Sequence, residues 1–512
     1  MKLIYEENKA LPPLGWCAAI KDGTAHIVHG VQVETNPHFF VDGAWDGDFA
    51  SGNFVDAEWF CGTGAALLDG KIVFSTPTHV TAGLYMANME SGYLVSNSLH
   101  FLLVRAGRKL DPSYKYYKRD FNTIIAGIHQ YKAEIHTIPD GEHAQPPASA
   151  CTSVTMLFFR NLSIDDNNAI AISIKPCVSP FSSYENYRDR LVAAMERMAQ
   201  NAAYAGRKQT YGMVTTISKG YDSPACAAVA KQVGCDRAVT FCAKGKYAQD
   251  SGVEIAKKLG YINIIERDAM SFQNRTDCVE AMYICSGDLG ASISSSVFDK
   301  DYAGCLVFTG DRGDSLWSPD SAHRNCEFRF IDILSHLGNG ERRLWTGYIA
   351  VPMPLYGATA WPSLYTISNA KEMEPWRLGN DYDRPIARRL VEEAGVPRDW
   401  FGMEKHGGGF YYQYDWMKRL LSRMSKASAK SFFSYVQRNK KRQIRWMGEL
   451  LVWLFYTWPV YWNAAFGKIK RVKIDVEKQN KAANPMAVRY LIPWASEVVC
   501  LKYRAALAKK EL

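Results

Sequence analysis

Tyr211-Gly-Met-Val-Thr-Thr-Ile217, Ser218-Lys219-Gly220-Tyr221-Asp222-Ser223 and Pro224-Ala-Cys-Ala-Ala-Val-Ala-Lys-Gln-Val233 run on from one another in this chain of 512 residues, and their reading decides its fold. The first run is β-branched and apolar, as a buried strand requires. Pro224 suits the first position of a helix, and Gly234 suits its end. A strand that passes through a Ser/Gly turn into a helix leaves backbone N–H groups and the positive end of the helix dipole at the turn. Such a turn receives anions, and in a nucleotide enzyme the anion is phosphate. A plainer reading also fits: Asp222 and Ser223 cap the helix and do nothing else. No spaced glycine followed by Gly-Lys-Ser/Thr is present, so the turn is not a Walker loop.

The pattern continues downstream. Ala238–Phe241 reads as a strand, Asp250–Leu259 as an amphipathic helix stopped by Gly260, and Tyr261–Ile265 as another strand. Gly304–Thr309 is a further strand, opening onto Gly310-Asp311-Arg312-Gly313-Asp314-Ser315-Leu316-Trp317. Upstream, Tyr184–Ala199 carries apolar residues at helical spacing, and a later helix starts at Pro385 and has ended by Pro397. Alternation of this kind predicts a doubly wound parallel sheet with helices on both faces and ligands at the carboxyl ends of its strands.

Ser218–Ser223 resembles the Ser-Gly-Gly-x-Asp-Ser pyrophosphate loop of the N-type ATP pyrophosphatases, with Lys219 in place of the second family residue, a glycine. A lysine there adds charge beside phosphate, or costs the backbone a positive φ that glycine adopts cheaply. From Thr309 onward the second loop is similar to a Ser-Gly-Glu-Gly-Ala-Asp-Glu-Leu-Phe segment of asparagine synthetases. That resemblance implies a metal-binding role for Asp314 and an acyl-substrate role for Asp311, where β-lactam synthetases carry tyrosine. The Glu that follows the metal-binding Asp in the family is Ser315 here. Read alone, Asp311–Asp314 is also a plain polar turn. Trp400-Phe-Gly-Met-Glu-Lys405-His-Gly-Gly-Gly409 resembles the Arg-x-Lys-x-Gly loop of the same enzymes, with Met403 where the arginine stands, and gives Lys405 the position facing the reacting acyl phosphate. Its alternative is a solvated loop lysine.

Ile72–Tyr85 and Gly92–Leu103 resemble strands and a helix of the glutaminase domain of these synthetases. Glutaminase chemistry in that fold needs a cysteine at the mature N-terminus, acting beside its own α-amine. This chain starts Met1-Lys2-Leu3-Ile4, and its first cysteine, Cys17, reads as a strand residue. The expected organisation is therefore a degenerate Ntn-glutaminase-like α+β sandwich over 1–150, with Ala144–Ser149 as linker. An adenine-nucleotide α-hydrolase-like (pyrophosphate-loop) domain follows over 180–412, and then a basic, helical extension over 413–512.

Twelve cysteines without Cys-x-x-Cys or a signal peptide read as reduced thiols of a cytoplasmic protein, and exclude a zinc ribbon or a paired-cysteine sulfurtransferase. The net charge of +9 comes substantially from basic residues between 426 and 473 that flank an apolar stretch, Trp446–Phe466. Glu449 and Pro459 interrupt that stretch, leaving less than the roughly 18 to 20 apolar residues of a membrane span. Three readings stand in order: a buried helix pair, a peripheral membrane contact through 426–473, and a nucleic-acid surface.

The resemblance implies an AMP-forming carbon–nitrogen ligase that uses ATP and Mg²⁺ to adenylate a small-molecule or peptide carboxylate and passes the acyl group to an amine or ammonia. Ser218, Lys219, Gly220, Asp222, Ser223 and Gly310 would bind the nucleotide, Asp222 and Asp314 the metal, and Lys405 and Asp311 would act on the acyl group. A nucleobase- or tRNA-adenylating enzyme and a catalytically silent partner protein are the alternatives.

Overall fold

A computed structural model describes residues 1–141, 153–242, 249–320, 328–329, 337–380, 382–403, 412, 415, 417–439, 458 and 488–509. The N-terminal half contains two large sheets, besides the two-stranded pairs Arg108–Lys109 with Ile138–Pro139 and Ala44–Trp45 with Phe60–Cys61. One has seven strands in the order Lys2–Glu7, Thr24–His29, Trp16–Lys21, Gly92–Ser96, Leu84–Met89, Ser153–Leu157 and Glu134–His136. The other has six, from Ile170–Ile174 through Arg160–Ile164, Lys71–Ser75, Gly64–Leu68 and Phe39–Val41 to Glu34–Thr35. Period-2 alternation puts Trp16, Ala18 and Ile20 into a shared core with Phe40, Ile72, Phe74 and Leu162 of the second sheet. Cys17 points to the opposite face, into a cluster with Leu99, Phe101 and Leu102 of helix α1 (Leu99–Arg105). Ser98 caps that helix by accepting from Phe101 N–H at 3.1 Å.

This sandwich runs past the boundary expected at 150. Ser153–Leu157 pairs with Leu84–Met89 in the first sheet, while Arg160–Ile164 pairs with Lys71–Ser75 in the second. The Pro-rich composition of 144–149 suggested a domain linker, yet the same unit supplies strands on both sides of it. Residues 142–152, which hold that segment, lie outside the described residues.

Helix α2 (Tyr184–Ala202) leads into the second unit, capped by Ser183 and burying Tyr187, Leu191, Ala194, Met195 and Met198 at three- and four-residue spacing. The sheet of that unit is wholly parallel, with strands β1 (Gly212–Thr216), β2 (Arg237–Phe241), β3 (Asn263–Arg267), β4 (Cys305–Thr309) and β5 (Ile349–Pro352) in the order β3-β2-β1-β4-β5. The crossovers carry helices α3 (Asp222–Gln232), α4 (Val253–Lys258), α5 (Val279–Ile284), α6 (Gly313–Leu316) and α7 (Asn339–Thr346). The chain winds to one side of β1 and then returns to the other. The topological switch point therefore lies between β1 and β4, where the crevice of an open α/β sheet takes its ligand.

Helix α8 (Pro385–Glu393) starts at Pro385 as the sequence predicts and packs on α3. Helix α9 (Val488–Ala508) is no detached extension: it buries Leu491, Trp494 and Tyr503 and lies against α1 and α5. The two units meet across buried charge. Arg343 of α7 pairs with Asp42 at 3.2 Å, both side chains almost wholly buried, and Arg207 pairs with Glu34 at 3.4 Å. Of the basic stretch 426–473, only Lys426–Asn439 and Trp458 are described. The helix Lys426–Asn439 buries Phe432, Tyr435 and Val436. No helix among the described residues is long and apolar enough to cross a membrane.

Candidate functional site

A cleft of about 380 Å³ opens at the switch point, lined by Ser218, Gly220, Asp222 and Ser223 from the loop after β1 and by Gly310, Asp311 and Asp314 from the loop after β4. Two segments far apart in sequence thus meet because each follows one of the two central strands. Their contact is intimate. A Cβ on Gly310 would lie 2.7 Å from the backbone carbon and 2.8 Å from the Cβ of Asp222, and one on Gly313 would lie 2.2 Å from Asp222 Oδ1. Glycine at both positions lets the second loop close on the first. Gly310→Ala should therefore drive the loops apart at a backbone contact that cannot yield, costing about 1–3 kcal/mol of stability and nucleotide binding with it. A thermal midpoint and an ATP titration unchanged from wild type would contradict this packing.

Within the first loop, Ser218 Oγ accepts from Gly220 N–H at 3.2 Å and lies 2.9 Å from Ser223 Oγ. The residue at the N-cap of α3 is Tyr221, which makes no side-chain cap, and Asp222 and Ser223 fall inside the first turn rather than before it. The first turn of that helix borders the cleft, which places its dipole end beside an anion bound there. Lys219 N–H donates to Asp250 O at 3.2 Å, Gly402 N–H donates to Lys219 O at 2.8 Å, and Ser218 bridges to Ser251. The Lys219 backbone is not at positive φ, so the loop pays no strain for the missing glycine. Lys219 is exposed and lines a neighbouring groove with Glu254, Trp400 and Met403 rather than the cleft. The strained residue is Arg312 instead, whose φ of 72° in the left-handed region turns the second loop into α6.

Asp250 also lines the cleft. The sequence reading placed it in a helix, but α4 starts only at Val253, and Asp250 and Ser251 are held flat against the first loop. Tyr382 stands at the mouth, its ring 4.5 Å from that of Tyr221, and Arg384 donates to Asp314 O at 2.8 Å, tying the segment after 382 to both loops.

Away from the first loop the wall is Ser292, Ser295, Tyr302, Asn339, Arg342 and Tyr348. None of these was singled out by the sequence. Arg342 is the cation of the cleft wall among the described residues. Its guanidinium lies 5.1, 5.2 and 5.4 Å from the rings of Tyr283, Tyr302 and Tyr348, donates to Ser295 Oγ at 2.9 Å and pairs with Asp299 at 2.7 Å. Burial opposes its charge, but Tyr283, Tyr348, Asp299 and Tyr302 outweigh that and hold it well above the ordinary arginine value. A double arginine on a short helix reads as a solvated face, and only the fold shows that Arg342 and Arg343 both point inward.

The carboxylates Asp222 and Asp314 supply hard oxygen donors on one cleft, and no cluster of three or more His, Cys, Asp or Glu occurs among the described residues. That donor set fits a magnesium ion held by one or two carboxylates and completed by phosphate oxygens, rather than a protein-caged metal. Lys405, the remaining sequence candidate, lies outside the described residues. Cys17 is a buried residue of the strand Trp16–Lys21, and burial pushes its thiol up to about 11, partly offset by Arg105 and Ser96. It has neither the exposure nor the thiolate character of a nucleophile.

No family model and no curated protein matches this sequence. Among solved structures, a glutamine-dependent NAD+ synthetase from Acinetobacter baumannii, in complex with adenosine diphosphate, is similar at 13% identity and a TM-score of 0.19, over 60% of this chain and 54% of that one. The match spans about half of that protein, and a likeness of this level bears on neither fold nor function. The doubly wound sheet and its cleft rest on the strand order and side-chain positions above.

Proposed function

We propose that this protein is an ATP-dependent, AMP-forming ligase that adenylates a carboxylate and transfers the acyl group to an amine or ammonia. The observation that carries this reading is the meeting of the Ser218–Ser223 and Gly310–Asp314 loops at the switch point, with the first turn of α3 and the loops' three aspartates, Asp222, Asp311 and Asp314, on one cleft. Backbone N–H groups, Ser218 and Ser223 would hold the β- and γ-phosphates. Asp222 and Asp314 would hold Mg²⁺, which when bound neutralises phosphate charge and orients the leaving pyrophosphate.

In the first step a substrate carboxylate oxygen bonds to the α-phosphorus, the bond to the bridging oxygen breaks, and pyrophosphate departs with the electron pair. In the second, the amine nitrogen bonds to the acyl carbon, AMP leaves, and the amine's proton passes to Asp311, which stands on the second loop facing the cleft. The Arg342 wall, with Ser292, Ser295 and Asn339, would bind the polar end of the acyl substrate. Lys405 would steady the developing charge of this second step. The ordinary φ of Lys219 supports an active loop over a decayed one. An exchange of labelled pyrophosphate into ATP, run against a panel of carboxylates, tests the whole reading.

The nitrogen is expected to come from ammonia or a substrate amine and not from glutamine, because Cys17 is locked into a strand. Purified protein given glutamine should release no glutamate at any pH from 6 to about 8, where the thiol stays protonated. Glutamate that appears in the wild type and vanishes in Cys17→Ala would overturn this assignment.

A further inference from the structure

Behind the Arg342 wall lies a second cavity of about 370 Å³ that shares Arg342 with the cleft but opens elsewhere, between α5, α7, α9 and the short helix Asp299–Tyr302. Four cations line it, Arg275, Lys300, Arg342 and Lys502, against two carboxylates, Asp277 and Asp299. The carboxylates are already committed. Asp299 takes both Arg275, at 2.5 Å, and Arg342, at 2.7 Å, and Asp277 takes Arg275 at 2.8 Å. Two ammonium groups are left over. Lys300 is exposed at the rim. Lys502 of α9 is mostly enclosed and makes no hydrogen bond or ion pair to any described residue. Its Nζ stands 5.3 Å over the Trp345 ring. Burial, chiefly, lowers the Lys502 pKa, aided by Arg275 and opposed by Asp277 and Cys278. Val279, Met282, Ala303 and Trp345 make the apolar part of the lining, beside Tyr283 and Thr346.

An excess of two positive charges, one mostly enclosed on Lys502 and one at the rim on Lys300, beside a largely apolar wall is complementary to a dianion that carries an apolar body. We propose that this cavity is a binding site for a phosphate monoester, with the phosphate on Lys502 and Lys300 and its apolar portion against Val279, Met282 and Trp345. The site is separate from the Asp222 loop. A phosphate monoester is a dianion above its second pKa near 6, which matches the two uncommitted ammonium groups, whereas a carboxylate leaves one of them unanswered.

Phenyl phosphate, titrated calorimetrically into the full chain at pH 7.5, serves as the probe. One equivalent should bind. The same binding should persist in Ser218→Ala/Ser223→Ala and in Asp222→Asn, which alter the switch-point cleft, and weaken at least tenfold in Lys502→Met, which keeps the apolar stem over Trp345, with Lys300→Gln as the exposed, fold-neutral second variant. Binding equal in wild type, Lys502→Met and Lys300→Gln would overturn the assignment, as would no binding to wild type. Loss in Asp222→Asn with retention in Lys502→Met would place the probe on the first loop instead. Benzoate binding as tightly as phenyl phosphate would refute the dianion. None of these outcomes depends on whether the cleft adenylates a carboxylate.

Discussion

Asp222→Asn should abolish ATP–pyrophosphate exchange while the protein keeps its fold. Asparagine is close in shape to aspartate, so the crowded contact with Gly310 and Gly313 survives, but the anionic oxygen that would meet the metal is gone. A divalent cation shared between two carboxylates and phosphate contributes several kcal/mol to the stabilisation of transferring charge, and losing half its protein ligands costs on the order of a thousandfold in rate. Asp314→Asn should behave alike, because Asp314 lines the same cleft from the second loop. Exchange at the wild-type rate in either variant would remove that aspartate from the metal site. Calorimetry with ATP alone and with Mg²⁺ separates the two causes of failure: the variants should lose the Mg²⁺-dependent part of the affinity.

The second large effect concerns the seam between the two units. Asp42 is fully buried and accepts from Trp16 Nε1, Thr63 N–H, Thr63 Oγ1 and Asn97 Nδ2 as well as from Arg343. Arg343→Met removes the only full positive charge among these partners and leaves a carboxylate in low dielectric. Breaking one side of a buried pair costs about 3–5 kcal/mol, against less than about 1 kcal/mol for an exposed one. Urea denaturation should register the larger figure, and Asp42→Asn placed in the same chain should recover much of it. A loss of less than about 1 kcal/mol would mean that the pair is solvated and that the units are joined by other contacts. Arg343 sits on α7 beside Arg342, so the same variant should also weaken binding in the cleft, coupling the integrity of the seam to the site.

Much of the second unit was legible because its signals are local. Each central strand is a β-branched run ending in a Ser/Thr–Gly turn, and the two turns carry the aspartates that the fold brings together. What depends on tertiary placement was not legible. Asp250 looks helical by its spacing from Ile255 and Leu259, and only pairing with the first loop holds it out of α4. Arg342 carries no sequence signal of its own, and only the fold encloses it among three tyrosine rings. The sandwich boundary was placed early because a Pro-rich segment was taken as the end of a unit whose last strand is Ile170–Ile174. Lys219 reads either as added charge beside phosphate or as a strained loop residue; its φ is ordinary, and it lines the groove of Glu254, Trp400 and Met403. Helix α9 looked like part of a basic tail, although Leu491, Trp494 and Tyr503 bury it against the first unit and α5.

The exchange of labelled pyrophosphate into ATP, measured with Mg²⁺ across a panel of amino-acid, dicarboxylate and peptide substrates, bears most directly on the adenylating cleft. At least one carboxylate should drive exchange, with AMP as the nucleotide product once an amine is added and with the activity lost in Asp222→Asn. Formation of ADP and phosphate in place of AMP and pyrophosphate, or exchange that persists undiminished in Asp222→Asn, would contradict the assignment of the switch-point cleft as the site of adenylation.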